Sequence, residues 1–551
     1  MRSLSFFIVV LFSYSDISAQ HSTIFLGNNF SSNVNNLIYN PNSANHTSFK
    51  PIFKSDLDFD IDSVLDLRFN SVHSSWFLRK LFSEHLISLK GKDYDVIMSP
   101  VINFSKGNES NQQKNISVNT RGFIIEGNLG NKISFFSSFL ENQAIFPNYL
   151  DEFIRNNKVV PGQGYARVFK QSGFDYAMSS GYVSYRPNKM FAIQFGHGKH
   201  FIGDGYRSLM LSDNTFNYPY LRLQTTFWKL QYTNLYTELQ DINYFLYNDL
   251  PNFDQMGYAK KYMSAHYLSI NATKKINISI YESVVWRMNH APGNTGFDVN
   301  YLNPITMLRP AEFSINSPDN VLVGLSVKYS LFPSSYFYGQ FVLDEFSLTE
   351  LRKKEGFWGN KYAYQLGYKV FNAFGFNNLT LQTEYNLARP YTYSHHNPQQ
   401  NYAHYNQSLA HPLGANFSEW IMITEYKWKK WQCYGKLIFA KYGADISGDQ
   451  TSYGNNVYLS SGNFYEEEGS PSSQYIGTGR PSDFGIELYQ GNLTSICIKN
   501  FNIAYVINPK TNLKLNLGIT IRDFKDDYEE KSTKFINFGL VSDLFNTYYD
   551  F

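Results

Sequence analysis

Residues 513–522 read Leu-Lys-Leu-Asn-Leu-Gly-Ile-Thr-Ile-Arg, and this stretch decides the fold class. Leu513, Leu515, Leu517, Ile519 and Ile521 take every second position, and Lys514, Asn516, Gly518, Thr520 and Arg522 take the others. Successive side chains of a strand point to opposite faces, so strict alternation over this length is a strand between two different environments. Leu379, Leu381, Thr383, Tyr385 and Leu387 interleave with Thr380, Gln382, Glu384 and Asn386 in the same way. Ile276, Ile278 and Ile280 repeat the pattern, as do Phe191, Ile193 and Phe195. Lys514, Glu384 and Arg522 on the inner face suit a wet lumen better than a packed core.

Worked outward, the same alternation predicts about eighteen strands. They fall at 93–104, 115–126, 132–143, 175–186, 190–198, 219–226, 228–239, 261–271, 276–286, 321–331, 335–346, 361–371, 378–389, 417–427, 431–442, 493–506, 512–523 and 534–545. Most match the roughly 9–11 residues that a tilted membrane strand needs. Every second connection is short: Leu129-Gly130-Asn131, Pro187-Asn188-Lys189, Trp228 and its neighbours, Thr273-Lys274-Lys275, Pro333-Ser334-Ser335, Phe374–Asn377, Lys429-Lys430 and Asn508–Thr511. The intervening connections are longer, the longest spanning 443–492. Short periplasmic turns alternating with long external loops are the mark of an outer-membrane barrel. A soluble sandwich or propeller has no reason to produce them. The expected fold is an all-β, transmembrane antiparallel β-barrel of about 18 strands.

Composition agrees. Of 551 residues, 43 are Tyr and 47 Phe, the aromatic share is 18%, and charged residues are 17%, against about 25% in an ordinary soluble domain. So aromatic a chain is not disordered. A net charge of +2 leaves no electrostatic footprint for nucleic acid. A mean hydropathy of −0.35 argues against a bundle of apolar helices. Strands apolar on one face and polar on the other average to such a value.

Arg2 followed by the apolar run Leu4–Phe12, with a cut near Ser18-Ala19, has the size of a secretory signal peptide. The expected division is a signal peptide at 1–19, an N-terminal periplasmic segment at 20–92 and the barrel at 93–551, in the outer membrane of a Gram-negative cell. Leu78, Leu81, Phe82, Leu86 and Leu89 recur at helical spacing around Arg79, Lys80 and Glu84, which predicts one short amphipathic helix docked beneath or inside the barrel mouth. Cys433 and Cys497 fall on adjacent strands at different heights, too far apart for a disulfide. Tyr549 and Phe551 end the chain in an aromatic-x-aromatic pattern, resembling the signal by which barrel-assembly machinery recognises its clients.

The search for chemistry returns little. Gly196-His197-Gly198-Lys199-His200 follows a strand but opens no helix, so it lacks the context of a phosphate loop. His197 and His200 have no third ligand placed by sequence, and no metal or other cofactor is expected. No G-x-S-x-G elbow is present, and no catalysis is expected. The long loops read instead as binding surfaces. The 443–492 loop carries Tyr453, Tyr458, Phe464, Tyr465, Tyr475 and Glu466-Glu467-Glu468; 287–320 carries His290, Phe297, Tyr301, Arg309 and Glu312; 390–416 carries Tyr391, Tyr393, His395, His396, Tyr402, His404 and Tyr405. Rings beside adaptable polar groups suit glycans, whose C–H faces pack on aromatics while hydroxyls take hydrogen bonds.

Phe195-Gly-His-Gly-Lys-His-Phe-Ile-Gly-Asp-Gly-Tyr-Arg-Ser-Leu-Met-Leu-Ser-Asp213, continuing to Tyr218-Pro-Tyr-Leu-Arg222, resembles a signature of Wzi-like capsule assembly proteins and of the gliding motility protein RemB. Asn119-Thr-Arg-Gly-Phe123, Glu141-Asn-Gln143, Tyr301-Leu-Asn-Pro304 and Arg309-Pro310 resemble further motifs of the group, over most of the chain from about Pro51. The resemblance implies an eighteen-stranded barrel with a small helical periplasmic element. It also implies a role in anchoring surface polysaccharide, for capsule or exopolysaccharide assembly or for gliding. Expected partners are surface polysaccharide, outer-membrane lipid, the barrel-assembly machinery and gliding or capsule-export proteins. The candidate glycan-binding residues are His197, His200, Asp204, Tyr206, Arg207, Asp213, Arg309, Tyr391, Tyr393, Tyr453 and Tyr458. Asp204, Arg207 and Asp213 have a second reading, an ion-pair network that folds their Gly-rich loop inward. The alternative function is a porin-like or substrate-specific channel.

Overall fold

The structure, a computed structural model, describes residues 22–551 apart from 44, 70–72, 111–112, 171, 243–257, 288–297, 306, 311–318, 447–448, 450 and 463–478. The expected signal segment lies outside the described residues. Eighteen antiparallel strands close into a barrel. In chain order they are β1 Tyr94–Glu109, β2 Lys114–Leu129, β3 Ile133–Ile145, β4 Gly173–Tyr185, β5 Phe191–Gly198, β6 Tyr218–Phe227, β7 Leu230–Asp241, β8 Ala259–Asn271, β9 Ile276–Arg287, β10 Asn320–Phe332, β11 Ser335–Leu343, β12 Tyr362–Phe371, β13 Leu379–Ala388, β14 Phe417–Trp428, β15 Trp431–Ala444, β16 Asn492–Asn508, β17 Leu513–Lys525 and β18 Glu530–Ser542. The seam is made by β18 against β1, Phe535 opposite Glu109 through Val541 opposite Asn103. Below it, a short strand Ile87–Lys90 pairs with Asp95–Met98 and covers the edge that β18 leaves bare.

Alternation places side chains as the sequence predicts. Leu515, Leu517 and Ile519 face outward and are exposed, while Lys514, Thr520 and Arg522 are buried inside. Trp228, Phe374, Trp428 and Trp431 stand exposed around the short-turn end, where amphipathic rings suit the membrane–water boundary. Trp228 and Lys429 take positive φ in two of the tightest turns, as hairpins whose twist matches their strands require. Cys433 lies opposite Ile503 and Cys497 opposite Phe439, so the two thiols are far apart along β15 and β16 and stay free.

The lumen departs from expectation. It is not a wet bore; segments of the same chain fill it. Residues 22–57, expected on the periplasmic side, pass inside the short-turn half. The Ser22 hydroxyl donates to Glu126 at 2.8 Å, and the Thr23 N–H donates to the Tyr182 hydroxyl at 2.9 Å. Asp56 pairs with Arg186 at 2.7 Å, and Tyr39 stacks on Tyr336 with centroids 4.8 Å apart. Inward charges of the wall meet partners on the inserted chain, as Lys514 meets Asp543 at 3.1 Å. Burial of charge is tolerated only with such pairing. Of the expected N-terminal segment, helix Trp76–Phe82 sits at the short-turn rim, where the Asn508 amide donates to the carbonyls of Lys80 and Glu84 at 3.2 and 2.9 Å.

The C-terminal residues also differ from expectation. Tyr549 and Phe551 are not on the last strand. β18 ends at Ser542, and the tail turns into the lumen. There Tyr549 packs on Phe146 with centroids 5.6 Å apart, and Phe551 on Phe153 at 4.8 Å. The strand expected at 534–545 therefore sits earlier than its apolar pattern suggests. Leu544 and Phe545 belong to the lumenal cluster around Ile24, Phe30 and Phe136, not to a lipid face.

Candidate functional site: an inward loop beneath a loop-covered face

β5 stops at Gly198, opposite Tyr218 at the start of β6. The residues between them, 199–217, fold into the lumen. Phe201-Ile202 forms a two-residue ladder with Phe49-Lys50. Gly203 has φ +150°, and a side chain on Gly205 would strike the Glu384 carboxylate; only glycine fits both positions. Asp204 accepts from the hydroxyls of Thr47 at 2.5 Å and Ser48 at 2.6 Å. The Arg207 guanidinium donates to Glu419 at 2.9 and 3.2 Å and to Asp550 at 3.1 Å. Glu384 accepts the backbone N–H groups of Tyr206 and Arg207 at 2.7 and 3.0 Å. Asp213 accepts from the Tyr548 hydroxyl and the Asn546 amide, both at 2.8 Å. Leu209, Met210 and Leu211 are wholly buried, each contributing roughly 1.5–3 kcal/mol of burial free energy.

The inserted segments stack in layers. The Gly203 N–H donates to the Ser48 carbonyl at 2.7 Å, joining loop 199–217 to the N-terminal segment. Above it lies 390–416: the Tyr393 hydroxyl donates to Leu209 O at 2.8 Å and the Tyr402 hydroxyl to Met210 O at 2.7 Å. Residues 452–462 cover that layer, with Tyr391 N–H donating to Gly454 O at 2.9 Å and Ser461 N–H to His395 O at 3.2 Å. The lumen is occupied by four layers drawn from distant parts of the chain.

This stacking relocates many candidate residues. His200, Asp204, Arg207, Asp213, Tyr391 and Tyr393 are buried with protein partners and present no surface to a glycan. Loops expected to project outward bend back because their aromatics fill the lumen. Tyr206 is half-buried below the tail, and its hydroxyl donates to Asp550 at 2.6 Å. His197 lies half-buried at the end of β5, its Nδ1 3.2 Å from the Ser179 carbonyl and its ring 6.1 Å from that of Phe216. Arg309 is exposed, but on a segment covering the outside of the barrel. Tyr453 and Tyr458 remain half-buried in the covering layer. His290, Phe297, Glu312, Phe464, Tyr465, Tyr475 and Glu466–Glu468 lie outside the described residues.

The long-loop face carries a group absent from the sequence reading. The Arg480 guanidinium lies 3.8 Å from the centroid of the Trp358 ring, and Lys361 Nζ lies 4.8 Å from it. Asp483 holds Arg480 in place through bonds of 2.6 and 2.8 Å. Phe357 and Phe484 pack beside them with centroids 5.6 Å apart, Phe484 exposed. Arg480 and Lys361 are buried and occupy the Trp358 ring, so what this group presents to a sugar is the exposed Phe484 ring beside the half-buried Trp358 and Asp483, an aromatic surface for stacking with one carboxylate for hydrogen bonds. No local signal marks it, because Gly356-Phe-Trp-Gly359 and Arg480-Pro-Ser-Asp483 meet only in three dimensions. Nearby, burial pushes the Asp344 carboxyl up to about 7, against the pull of Lys361. Burial and then Lys361 push His395 down to about 3, so its ring is neutral.

Between the plug and the wall lies a cavity of about 410 Å³ of mixed lining, with the amides of Asn103, Asn500, Asn502, Asn516 and Asn537 of the strands, apolar side chains such as Phe146 and Ile498, and Tyr548–Asp550 of the tail.

No family model and no curated protein matches this sequence. Among solved structures, the chain is similar to Wzi of Escherichia coli, described as an outer membrane protein involved in group 1 capsule assembly and a carbohydrate-binding β-barrel. The TM-score is 0.52 at 12% identity, over 94% of this chain and 99% of Wzi. The fold is Wzi-like. OprD of Pseudomonas aeruginosa gives a TM-score of 0.40 at 12% identity, over 84% of this chain and 96% of OprD.

Proposed function

We propose that this protein is a non-enzymatic outer-membrane barrel that binds surface polysaccharide at its long-loop face and so supports capsule or exopolysaccharide assembly or gliding. The filled lumen is the observation that carries this reading. A barrel whose interior is occupied by its own loops serves as a rigid pedestal for a binding surface. The Trp358–Arg480–Asp483 group, with Tyr453 and Tyr458, forms that surface. Wzi, described as a carbohydrate-binding barrel, supports the same reading through its likeness of fold. The deciding experiment measures surface polysaccharide and spreading in a strain lacking the protein, with glycan-array binding of the purified barrel. Loss of either phenotype together with glycan binding supports the proposal. A deletion strain with wild-type polysaccharide and spreading refutes it.

A substrate-specific channel is the second reading, favoured by the cavity beside the plug, with amides in its mixed lining. Planar-bilayer conductance separates the two, since a large steady current supports the channel alone.

A further inference from the structure

The outer wall carries polar residues where lipid-facing ones are due. On β9, Ile278 and Ile280 face outward and are exposed, and the next outward position is Glu282, buried. Beside it in register stand His266 on β8 and Asn234 on β7, both outward by alternation and both buried. Glu282 is six residues along β9 from Ile276. At similar distances from the short-turn end, other strands expose large apolar side chains: Ile519 is six from Leu513, and Phe439 eight from Trp431. Polar groups at this level belong to the apolar belt of the barrel and are costly there without partners.

Partners for Glu282, and for Ser264 and Tyr236 further along, come from the connection between β9 and β10. Residues 299–305 and 307–309 run down the outside of the wall. The Glu282 carboxylate accepts the N–H groups of Leu308 and Arg309, both at 2.8 Å. The Ser264 hydroxyl donates to Tyr301 O at 2.8 Å, and the Tyr236 hydroxyl to Leu302 O at 3.0 Å. Tyr301 and Leu308 pack against Val284, Trp286 and Val321 of the wall. Among the described residues, the opposite side of the segment is uncovered and carries large apolar side chains, Val299 69% exposed, Ile305 88% and Met307 63%, with Asn300, Asn303 and Arg309 exposed between and beside them. Irregular backbone survives at membrane depth only when its polar groups are satisfied by protein; the wall takes four of them, Tyr301 O, Leu302 O and the N–H groups of Leu308 and Arg309, and Asp298 and Asn303 take those of Asn300, Tyr301 and Ile305.

We propose that residues 299–305 and 307–309 form a lipid-embedded strap, tied to the wall by Glu282, whose exposed apolar side chains Val299, Ile305 and Met307 meet the acyl chains of the membrane. The occupant follows from continuity: these side chains prolong the belt formed by Ile278, Ile280 and Leu325 at the level where neighbouring strands meet lipid. The strap gives the barrel a lipid contact that is not a strand, and it explains why Ser264, Tyr236 and Glu282 occupy outward positions.

The test uses full-length protein with Cys433 and Cys497 replaced by Ser, reconstituted in phosphatidylcholine vesicles. A single cysteine carrying a fluorophore is placed by Ile305→Cys, with Phe195→Cys on the wall and Tyr528→Cys in a loop as references. The expected result is that the 305 probe is quenched by acyl-chain spin-labelled lipid like the 195 probe, at least twofold more than the 528 probe, and is shielded from iodide. Quenching by iodide, or by neither quencher as beneath a second protein copy, overturns the proposal. Met307→Cys repeats the measurement if Ile305→Cys does not fold. Glu282→Ala is expected to shift the 305 probe toward iodide; an unchanged probe overturns the role of that carboxylate as the tie.

Discussion

The guanidinium of Arg207 lies 3.1 Å from the carboxylate of Asp550, 343 positions away in sequence. The bond joins the loop between β5 and β6 to the tail after β18, in the middle of the barrel. Glu419 and Lys436 complete the network, Lys436 reaching Asp550 at 2.5 Å. Both termini of the described chain and two of its long loops thus become one lumenal body.

Arg207→Ala leaves the carboxylates of Glu419 and Asp550 buried without their main cation. Removing one member of a buried pair costs about 3–5 kcal/mol. The temperature at which the fast-migrating folded band gives way on a gel is expected to fall clearly. Adding Glu419→Gln should recover part of the loss, because one orphaned charge is removed. Additive losses in the double variant would contradict the network.

The layered plug predicts a silent barrel. Purified wild-type protein in a planar bilayer is expected to give no large steady current. Deleting residues 22–57 should open the short-turn half and produce frequent long openings. A porin-like current from the wild type would overturn the filled lumen.

Tyrosines of the loops should divide into two groups. Tyr391 and Tyr393 are buried and donate to Ser452 O and Leu209 O, each at 2.8 Å. Changing either to Phe strands a buried acceptor, a loss of about 1–3 kcal/mol, and should lower thermal stability while leaving glycan affinity unchanged. Trp358→Ala, or Tyr453→Ala with Tyr458→Ala, is expected to weaken glycan binding at least tenfold with the barrel still folded. Equal effects of both groups on affinity would refute the assignment of the face.

Asp445 predicts a pH response of the covering layer. It accepts the N–H groups of Tyr453 at 2.6 Å and Asn456 at 3.3 Å. Burial raises its carboxyl to about 6 despite these bonds. A folded value above the unfolded one of about 3.9 means that the folded turn holds the proton more tightly. Its stabilisation is complete below about pH 4 and is lost as pH rises through about 6. Exchange protection of the 453 and 456 amides, corrected for intrinsic rates, should fall over that window, and Asp445→Asn should flatten the response. Protection independent of pH in the wild type would count against it.

Eighteen strands, their order and the two unlike ends of the barrel were legible in the sequence. Period-two alternation is local, as at Leu513–Arg522, and turn length is counted directly along the chain. The inward face of each strand was legible too, but not what it meets. Lys514, Glu384 and Arg522 read as solvated because their partners, Asp543, Arg207 with Tyr206, and the tail, lie elsewhere in the chain. Gly203 and Gly205 hinted at a tight inward loop, and the burial of Asp204, Arg207 and Asp213 follows from it. Tyr391 and Tyr393 gave no such hint. A ring in a polar loop looks the same whether it faces a sugar or another layer of protein. The Trp358–Arg480 pair and the Glu282 tie are likewise products of closure. Alternation along a strand is set by neighbours two residues apart, so sequence alone determined the wall. What fills and covers it depends on contacts between segments hundreds of residues apart, and only the tertiary structure decided that.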